Sequence, residues 1–117
     1  MVYLIDDDES VRRAFTLFLN SANIDHQTFQ CADDFISVFK PGEKDLLVLD
    51  LNLPGKKGVE LLKEIRGIKG PLPVIVVTAN DDPKVREYCK QFDVKAFLRK
   101  PVDAEALLDI INYYISA

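Results

Sequence analysis

Histidine and cysteine are scarce in this chain, which holds one histidine, His26, and two cysteines, Cys31 and Cys89, in 117 residues. A lone imidazole excludes a catalytic histidine dyad and a histidine-based metal site, so we interpret His26 as a surface residue with satisfied hydrogen bonds. The cysteines lie far apart without CxxC spacing, which indicates neither a zinc site nor a disulfide framework. We expect both thiols to be reduced and half-buried.

Long apolar runs are also absent. The longest extend over a few residues, far below the roughly 20 needed to span a bilayer, and no signal-peptide pattern precedes the first predicted strand. The five glycines and six prolines form no linker-like tract, and no internal repeat is visible. Residues 1–117 are therefore expected to form one compact cytoplasmic domain without a membrane segment.

Positive charge is in deficit, with 15 lysines and arginines against 19 acidic residues and a net charge of −4 at pH 7. Affinity for nucleic acid comes from basic residues that neutralise phosphates, so no direct nucleic-acid binding is expected. The segments 55–58 (GKKG) and 67–70 (GIKG) do not match the GxxxxGK[ST] phosphate-binding loop. Proteins and small ions remain as the expected partners.

Short apolar runs alternate with stretches of helical spacing along the whole chain. The runs predict strands at 2–5, 26–29, 45–50, 73–78 and 94–98. The helical spacing predicts helices at 11–22, 32–39, 59–65, 82–91 and 104–115. Five successive βα units require a parallel sheet with crossover helices on both faces, which is an α/β fold. On the first helix, Arg12 and Arg13 are expected to face away from the core.

Polar side chains stand where four of the five predicted strands end. The first strand runs into Asp6 and Asp7, the third ends at Asp50, the fourth at Thr78, and the fifth runs into Lys100. In parallel sheets, ligands bind outside the carboxyl ends of the strands. These side chains are therefore the candidate functional site.

Four segments, in this order and on these strands, resemble the receiver domain of bacterial two-component response regulators, the CheY-like family. They are IDDDE at 5–9, LDLNLPGKKG at 49–58, VTAN at 77–80 and FLRKP at 97–101. The resemblance covers essentially the whole chain. It implies a flavodoxin-like, doubly wound (βα)5 fold whose five parallel strands have the order 2-1-3-4-5.

The function that the resemblance implies is phosphoryl acceptance from a sensor histidine kinase or phosphotransfer protein. Asp50 matches the phosphoacceptor, Lys100 the active-site lysine, Thr78 the switch hydroxyl and Phe97 the switch aromatic. The domain would then change conformation to control an output domain or a partner protein. A homodimer through the fourth helix, fifth strand and fifth helix is a further expectation.

The resemblance also implies a magnesium site, with Mn²⁺ as a possible substitute. Asp6 and Asp7 match the family's acidic pair; Asp7, Asp50 and the main-chain carbonyl of Asn52 are the expected direct ligands, with Asp6 acting through water. Converging carboxylates repel one another unless a cation intervenes, and Mg²⁺ prefers hard oxygen ligands. In the same acidic run, Asp8 is expected to cap the first helix or complement its dipole.

Two asparagines, Asn52 and Asn80, lie two residues beyond Asp50 and Thr78 and are expected to tune dephosphorylation by flanking the attacking water. Asn52 also excludes a phosphatase or mutase of the dehalogenase type, which needs a second acid at that position, so turnover of an external substrate is not expected. One alternative remains, a docking module of the same fold that is not phosphorylated. A second alternative concerns Phe97, because periodicity does not distinguish a switch aromatic from a fixed core residue at this position.

Overall fold

The computed structural model describes residues 1–39, 44–51, 60–64, 72–79, 83–92 and 94–115. Its strands are β1 Val2–Ile5, β2 His26–Phe29, β3 Leu46–Asp50, β4 Val74–Thr78 and β5 Val94–Arg99. Its helices are α1 Glu9–Ser21, α2 Ala32–Val38, α3 at 60–64, α4 Pro83–Lys90 and α5 Ala104–Ile115. None of the helices in these ranges is both long and apolar enough to cross a bilayer.

All strand pairs are parallel, and the strands have the order β2-β1-β3-β4-β5. This confirms the predicted flavodoxin-like fold and its strand order. The register pairs Ile5 with Leu49, and Thr78 with Arg99. Because these pairs lie at the carboxyl ends of their strands, the residues that follow them meet at one edge of the sheet.

Two apolar cores cover the two faces of the sheet, as the side-chain alternation of strands requires. One core joins residues such as Ile5 and Leu49 to α2, α3 and α4. The other joins Leu4, Val48 and Val77 to α1 and α5. The three central strands are buried along their whole length, whereas the edge strands β2 and β5 are only partly buried.

The histidine and the cysteines mostly follow expectation. His26 is half-buried, and its Nδ1 lies 2.8 Å from the Ile24 carbonyl oxygen, so the ring has a hydrogen-bond partner. Both thiols are free, and Cys31 is half-buried. The prediction for Cys89 is wrong, because α4 turns this residue into the core, where it is 1% exposed and burial raises the pKa of its thiol.

Candidate functional site

The carboxyl edge of the sheet brings together the five polar residues that the strand ends predict. Asp50 and Thr78 are the last residues of β3 and β4, and Asp6 follows β1 directly. Lys100 follows β5, and its backbone N–H donates to the Thr78 carbonyl oxygen at 2.9 Å, which continues the β4–β5 pairing by one residue. The site is therefore built on rigid strand ends.

Three carboxylates converge at this edge. Asp6 and Asp50 are 2% and 3% exposed, whereas Asp7 is exposed. Each offers an oxygen, and these oxygens all lie within 4.8 Å of one another. The convergence follows from the β1–β3 pairing, because Asp6 and Asp50 come directly after the paired residues Ile5 and Leu49.

Lys100 lies between the two buried carboxylates. Its Nζ is 3.2 Å from Asp6 Oδ2 and 3.2 Å from Asp50 Oδ2, with 29% of the side chain exposed. Burial alone would lower the pKa of Lys100, but the hydrogen bonds and charges of Asp50 and Asp6 outweigh it and raise that pKa above 10.5. Lys100 therefore stays protonated and offers one positive charge to several carboxylates.

The pKa of the Asp6 carboxyl reflects both its burial and the charges around it. Its pKa is raised, mainly by burial and further by the negative charge of Asp50. Two contacts oppose the rise, the Asp8 backbone N–H, which donates to Asp6 Oδ1 at 3.0 Å, and Lys100. Two buried carboxylates share the single ammonium of Lys100, so a bound cation would reduce the repulsion between them.

The donor set fits a hard divalent cation. Asp6, Asp7 and Asp50 supply three carboxylates, and Mg²⁺ is typically held by one or two carboxylates together with water and phosphate oxygens. The described part of the site offers oxygen ligands without histidine or thiolate, which disfavours zinc.

The remaining acidic residues of the run serve α1. Asp8 Oδ1 accepts a hydrogen bond from the Ser10 backbone N–H at 2.8 Å and so caps the helix, as expected. Glu9 pairs with Arg13 one turn later through an exposed contact of 3.0 Å.

Arg12 makes a contact that sequence analysis did not predict. Its Nη1 donates to the Asp6 carbonyl oxygen at 2.8 Å, so the side chain folds back toward the site and is half-buried. Helical periodicity gave no signal for this contact, because it depends on how a long side chain reaches over the N-terminus of its own helix.

Thr78 and Phe97 lie on neighbouring strands. Thr78 is 2% exposed, and Phe97, which pairs with Val76, is half-buried against the core on the α4 side of the sheet. The guanidinium carbon of Arg86, on α4, lies 4.8 Å from the centroid of the Phe97 ring, a cation–π contact. Asn52 and Asn80 lie outside the described residues.

Comparison with known proteins gives a consistent result. A family model described as the response regulator receiver domain matches residues 2–112. The transcriptional regulatory protein FixJ of Azorhizobium caulinodans is 31% identical over 111 residues, which make up 95% of this chain and 53% of FixJ. TdiR of Thauera aromatica is 33% identical over 113 residues, 95% of this chain and 49% of TdiR.

Among solved structures, that of the response regulator StyR is similar, with a TM-score of 0.89 and 34% identity over 98% of this chain and 58% of StyR. The chain thus spans about half the length of the curated relatives FixJ and TdiR. Receiver domains are signalling domains and do not turn over a substrate. The match over residues 2–112 establishes that this chain belongs to the response regulator receiver domain family of two-component signalling.

Proposed function

We propose that this domain accepts a phosphoryl group on Asp50 from a sensor histidine kinase or phosphotransfer protein. The observation that carries the proposal is the environment of Asp50, a buried carboxylate 3.2 Å from the Lys100 ammonium and beside two further carboxylates. A carboxylate is a weak nucleophile, so attack on phosphorus requires positive charge near the phosphoryl oxygens. Lys100 supplies part of that charge.

The transfer is a displacement at phosphorus. An Asp50 carboxylate oxygen forms a bond to phosphorus while the bond from phosphorus to the donor's imidazole nitrogen breaks, and that nitrogen keeps the electron pair. The product is an acyl phosphate with two negative charges. Before the transfer, Lys100 Nζ lies 3.2 Å from Asp50 Oδ2. From this position the ammonium would bind the new phosphoryl oxygens and stabilise their charge.

Magnesium is the proposed cofactor, and Mn²⁺ the proposed substitute. Asp7 and Asp50 would bind it directly, Asp6 through a water molecule, and the Asn52 main-chain carbonyl would complete the protein ligands. When bound, the ion supplies the charge that Lys100 alone does not. The exposure of Asp7 supports its proposed role as a direct ligand.

Thr78 and Phe97 form the proposed switch. The Thr78 hydroxyl would bind a phosphoryl oxygen, and the space it leaves beside β4 would admit the Phe97 ring. Phe97 is half-buried and stacked under Arg86, so an inward movement would exchange that contact for burial. The face formed by α4, β5 and α5 would then bind a partner protein or a second copy of the domain.

Phosphoryl lifetime is proposed to depend on Asn52 and Asn80, which would flank the attacking water. The signal that follows is also a proposal. Because the chain covers about half of FixJ and TdiR, the domain is proposed to control an output domain or a separate partner.

Labelling with acetyl phosphate and Mg²⁺ tests the proposal. The parent should gain one phosphoryl group by intact-protein mass spectrometry, and Asp50→Asn should gain none. Asp45→Asn is the matched control, because Asp45 is a buried aspartate at the opposite end of β3 that pairs with the N-terminal amine at 3.5 Å. Labelling of Asp50→Asn at the parental rate would contradict the proposal, and a parent that takes no label would favour the docking module.

A further inference from the structure

Every polar group of Asp6 has a hydrogen-bond partner. Its backbone N–H donates to the Phe29 carbonyl oxygen at 3.0 Å, and its two carboxylate oxygens accept from the Asp8 N–H and the Lys100 ammonium. The remaining group, the backbone carbonyl oxygen, accepts from Arg12 Nη1 at 2.8 Å. These contacts fix both the backbone and the side chain of Asp6.

The Asp6 carbonyl lies beyond the end of β2. In a parallel ladder, the N–H and the C=O of one residue bond to the same neighbouring strand, and the Asp6 N–H already bonds to Phe29, the last residue of β2. No residue of β2 remains to donate to the Asp6 carbonyl oxygen. The Arg12 guanidinium reaches back over the first turn of α1 and supplies that donor.

The hydrogen bond from Arg12 determines the direction in which the Asp7 side chain leaves the backbone. The Asp6 carbonyl and the Asp7 N–H belong to one planar peptide group, so a fixed carbonyl fixes the orientation of that plane at the Asp7 Cα. Asp7 is exposed, and its carboxylate makes no hydrogen bond or ion pair within the part of the chain that the structure describes. Its place in the carboxylate cluster therefore depends on the backbone that carries it.

We propose that Arg12 is a positioning residue for the magnesium site. It holds the peptide between Asp6 and Asp7 so that both carboxylates reach the cluster that they form with Asp50. The inference rests on the proposed magnesium site, in which Arg12 acts through the Asp6 backbone and touches neither the ion nor the phosphoryl group. Replacement of a residue that orients a metal ligand typically weakens metal binding by about 10- to 100-fold.

The charge of Arg12 has the opposite effect, which makes a positioning role distinguishable from a purely electrostatic one. A cation beside the acidic run repels Mg²⁺, so removal of the charge alone would strengthen Mg²⁺ binding. Removal of an orienting hydrogen bond would weaken it. Arg13 is the matched control, because it is the next arginine on α1, is exposed, and pairs with Glu9 at 3.0 Å.

The test compares Arg12→Met with Arg13→Met by calorimetric Mg²⁺ titration at one ionic strength. Arg12→Met should bind Mg²⁺ about tenfold more weakly than the parent, and Arg13→Met should stay within about twofold of it. Labelling of Arg12→Met by acetyl phosphate should be slow at low Mg²⁺ and return to within about twofold of the parental rate at saturation. Parental or tighter Mg²⁺ binding by Arg12→Met, equal weakening in Arg13→Met, or slow labelling that persists at saturation would overturn the proposal.

A second variant and a spectroscopic measurement decide the matter if Arg12→Met does not fold. The hydrogen bond polarises the peptide group that accepts it, so its loss should shift the Asp6 carbonyl ¹³C and Asp7 ¹⁵N resonances of the metal-free domain. Arg12→Lys keeps the charge, and its Mg²⁺ affinity should follow these resonances, parental if they are parental and about tenfold weaker if they shift. A lost hydrogen bond with parental affinity, or a retained one with weakened affinity, would refute the positioning role.

This outcome is separable from that of the proposed function. A parent that binds no Mg²⁺ would refute the magnesium site and this inference with it. A parent that binds Mg²⁺ and is labelled on Asp50, with unchanged Mg²⁺ affinity in Arg12→Met, would refute only the role of Arg12.

Discussion

Replacement of Asp8 by alanine should separate the two roles of the acidic run that follows β1. The Asp8 carboxylate accepts the Ser10 N–H at 2.8 Å and lies at the N-terminus of a 13-residue helix. Loss of such a cap typically costs about 1 kcal/mol. In a domain of this size that loss lowers the melting temperature by roughly 4 °C. Affinity for Mg²⁺ should change by less than about twofold, because Asp8 is committed to the helix.

Asp7→Ala should show the reverse pattern. Asp7 is exposed and contributes a carboxylate to the candidate metal cluster. Its loss should leave the metal-free free energy of unfolding within about 0.5 kcal/mol of the parent. The substitution should weaken Mg²⁺ binding by at least about tenfold, since removal of a residue that only hydrogen-bonds to a metal ligand already costs about tenfold in affinity.

The assay pairs urea unfolding in the presence of a chelator with a calorimetric Mg²⁺ titration of the same variants. Asp8→Asn is the control for charge, because asparagine keeps a capping oxygen and should retain most of the stability that alanine loses. If Asp8→Ala weakened Mg²⁺ binding as much as Asp7→Ala, or left stability unchanged, the division of the acidic run would be wrong.

Three further predictions concern the switch and its lysine. The pKa of Lys100 is raised above 10.5 by Asp50 and Asp6, so its ion pairs stabilise the fold below that pH and are lost as pH rises through the folded value. The free energy of unfolding, measured with urea, should therefore fall less for Lys100→Met than for the parent between about pH 10 and pH 12. An identical fall in both proteins would show that these ion pairs do not stabilise the fold. Thr78→Ala should still accept a phosphoryl group but lose the phosphate-dependent NMR changes at Phe97. If the variant shows the same changes at Phe97 as the parent, Thr78 is excluded from the switch. Arg86→Ala removes a cation–π contact worth about 0.5–1 kcal/mol, so it should raise the inward population of the Phe97 ring by roughly two- to fivefold; ring signals identical to those of the parent would refute that.

The sequence predicted the fold well because its central strands carry an unambiguous pattern. Strands β1, β3 and β4 are continuous apolar runs, and each is buried on both faces, as parallel central strands are. The start of α1 was predicted less accurately, because the helix begins at Glu9 whereas the apolar pattern begins at Val11. The first turn holds polar residues whose helical state follows from the Asp8 cap, which periodicity does not register.

The candidate site was predictable to the extent that strand ends determine it. Asp6, Asp50 and Lys100 converge because adjacent parallel strands end at one edge. The contact of Arg12 with the Asp6 carbonyl and that of Arg86 with Phe97 were not predictable, because they depend on how long side chains cross between elements.

Localisation of the phosphoryl group tests the central claim most directly. An aspartyl phosphate is reduced by borohydride to homoserine, which tandem mass spectrometry assigns to a single residue. After treatment of the parent with acetyl phosphate and Mg²⁺, we expect homoserine at position 50 and unmodified aspartate at Asp6, Asp7 and Asp45. Homoserine at another position, or none after complete exposure to donor and metal, would contradict the assignment of Asp50 as the phosphoacceptor.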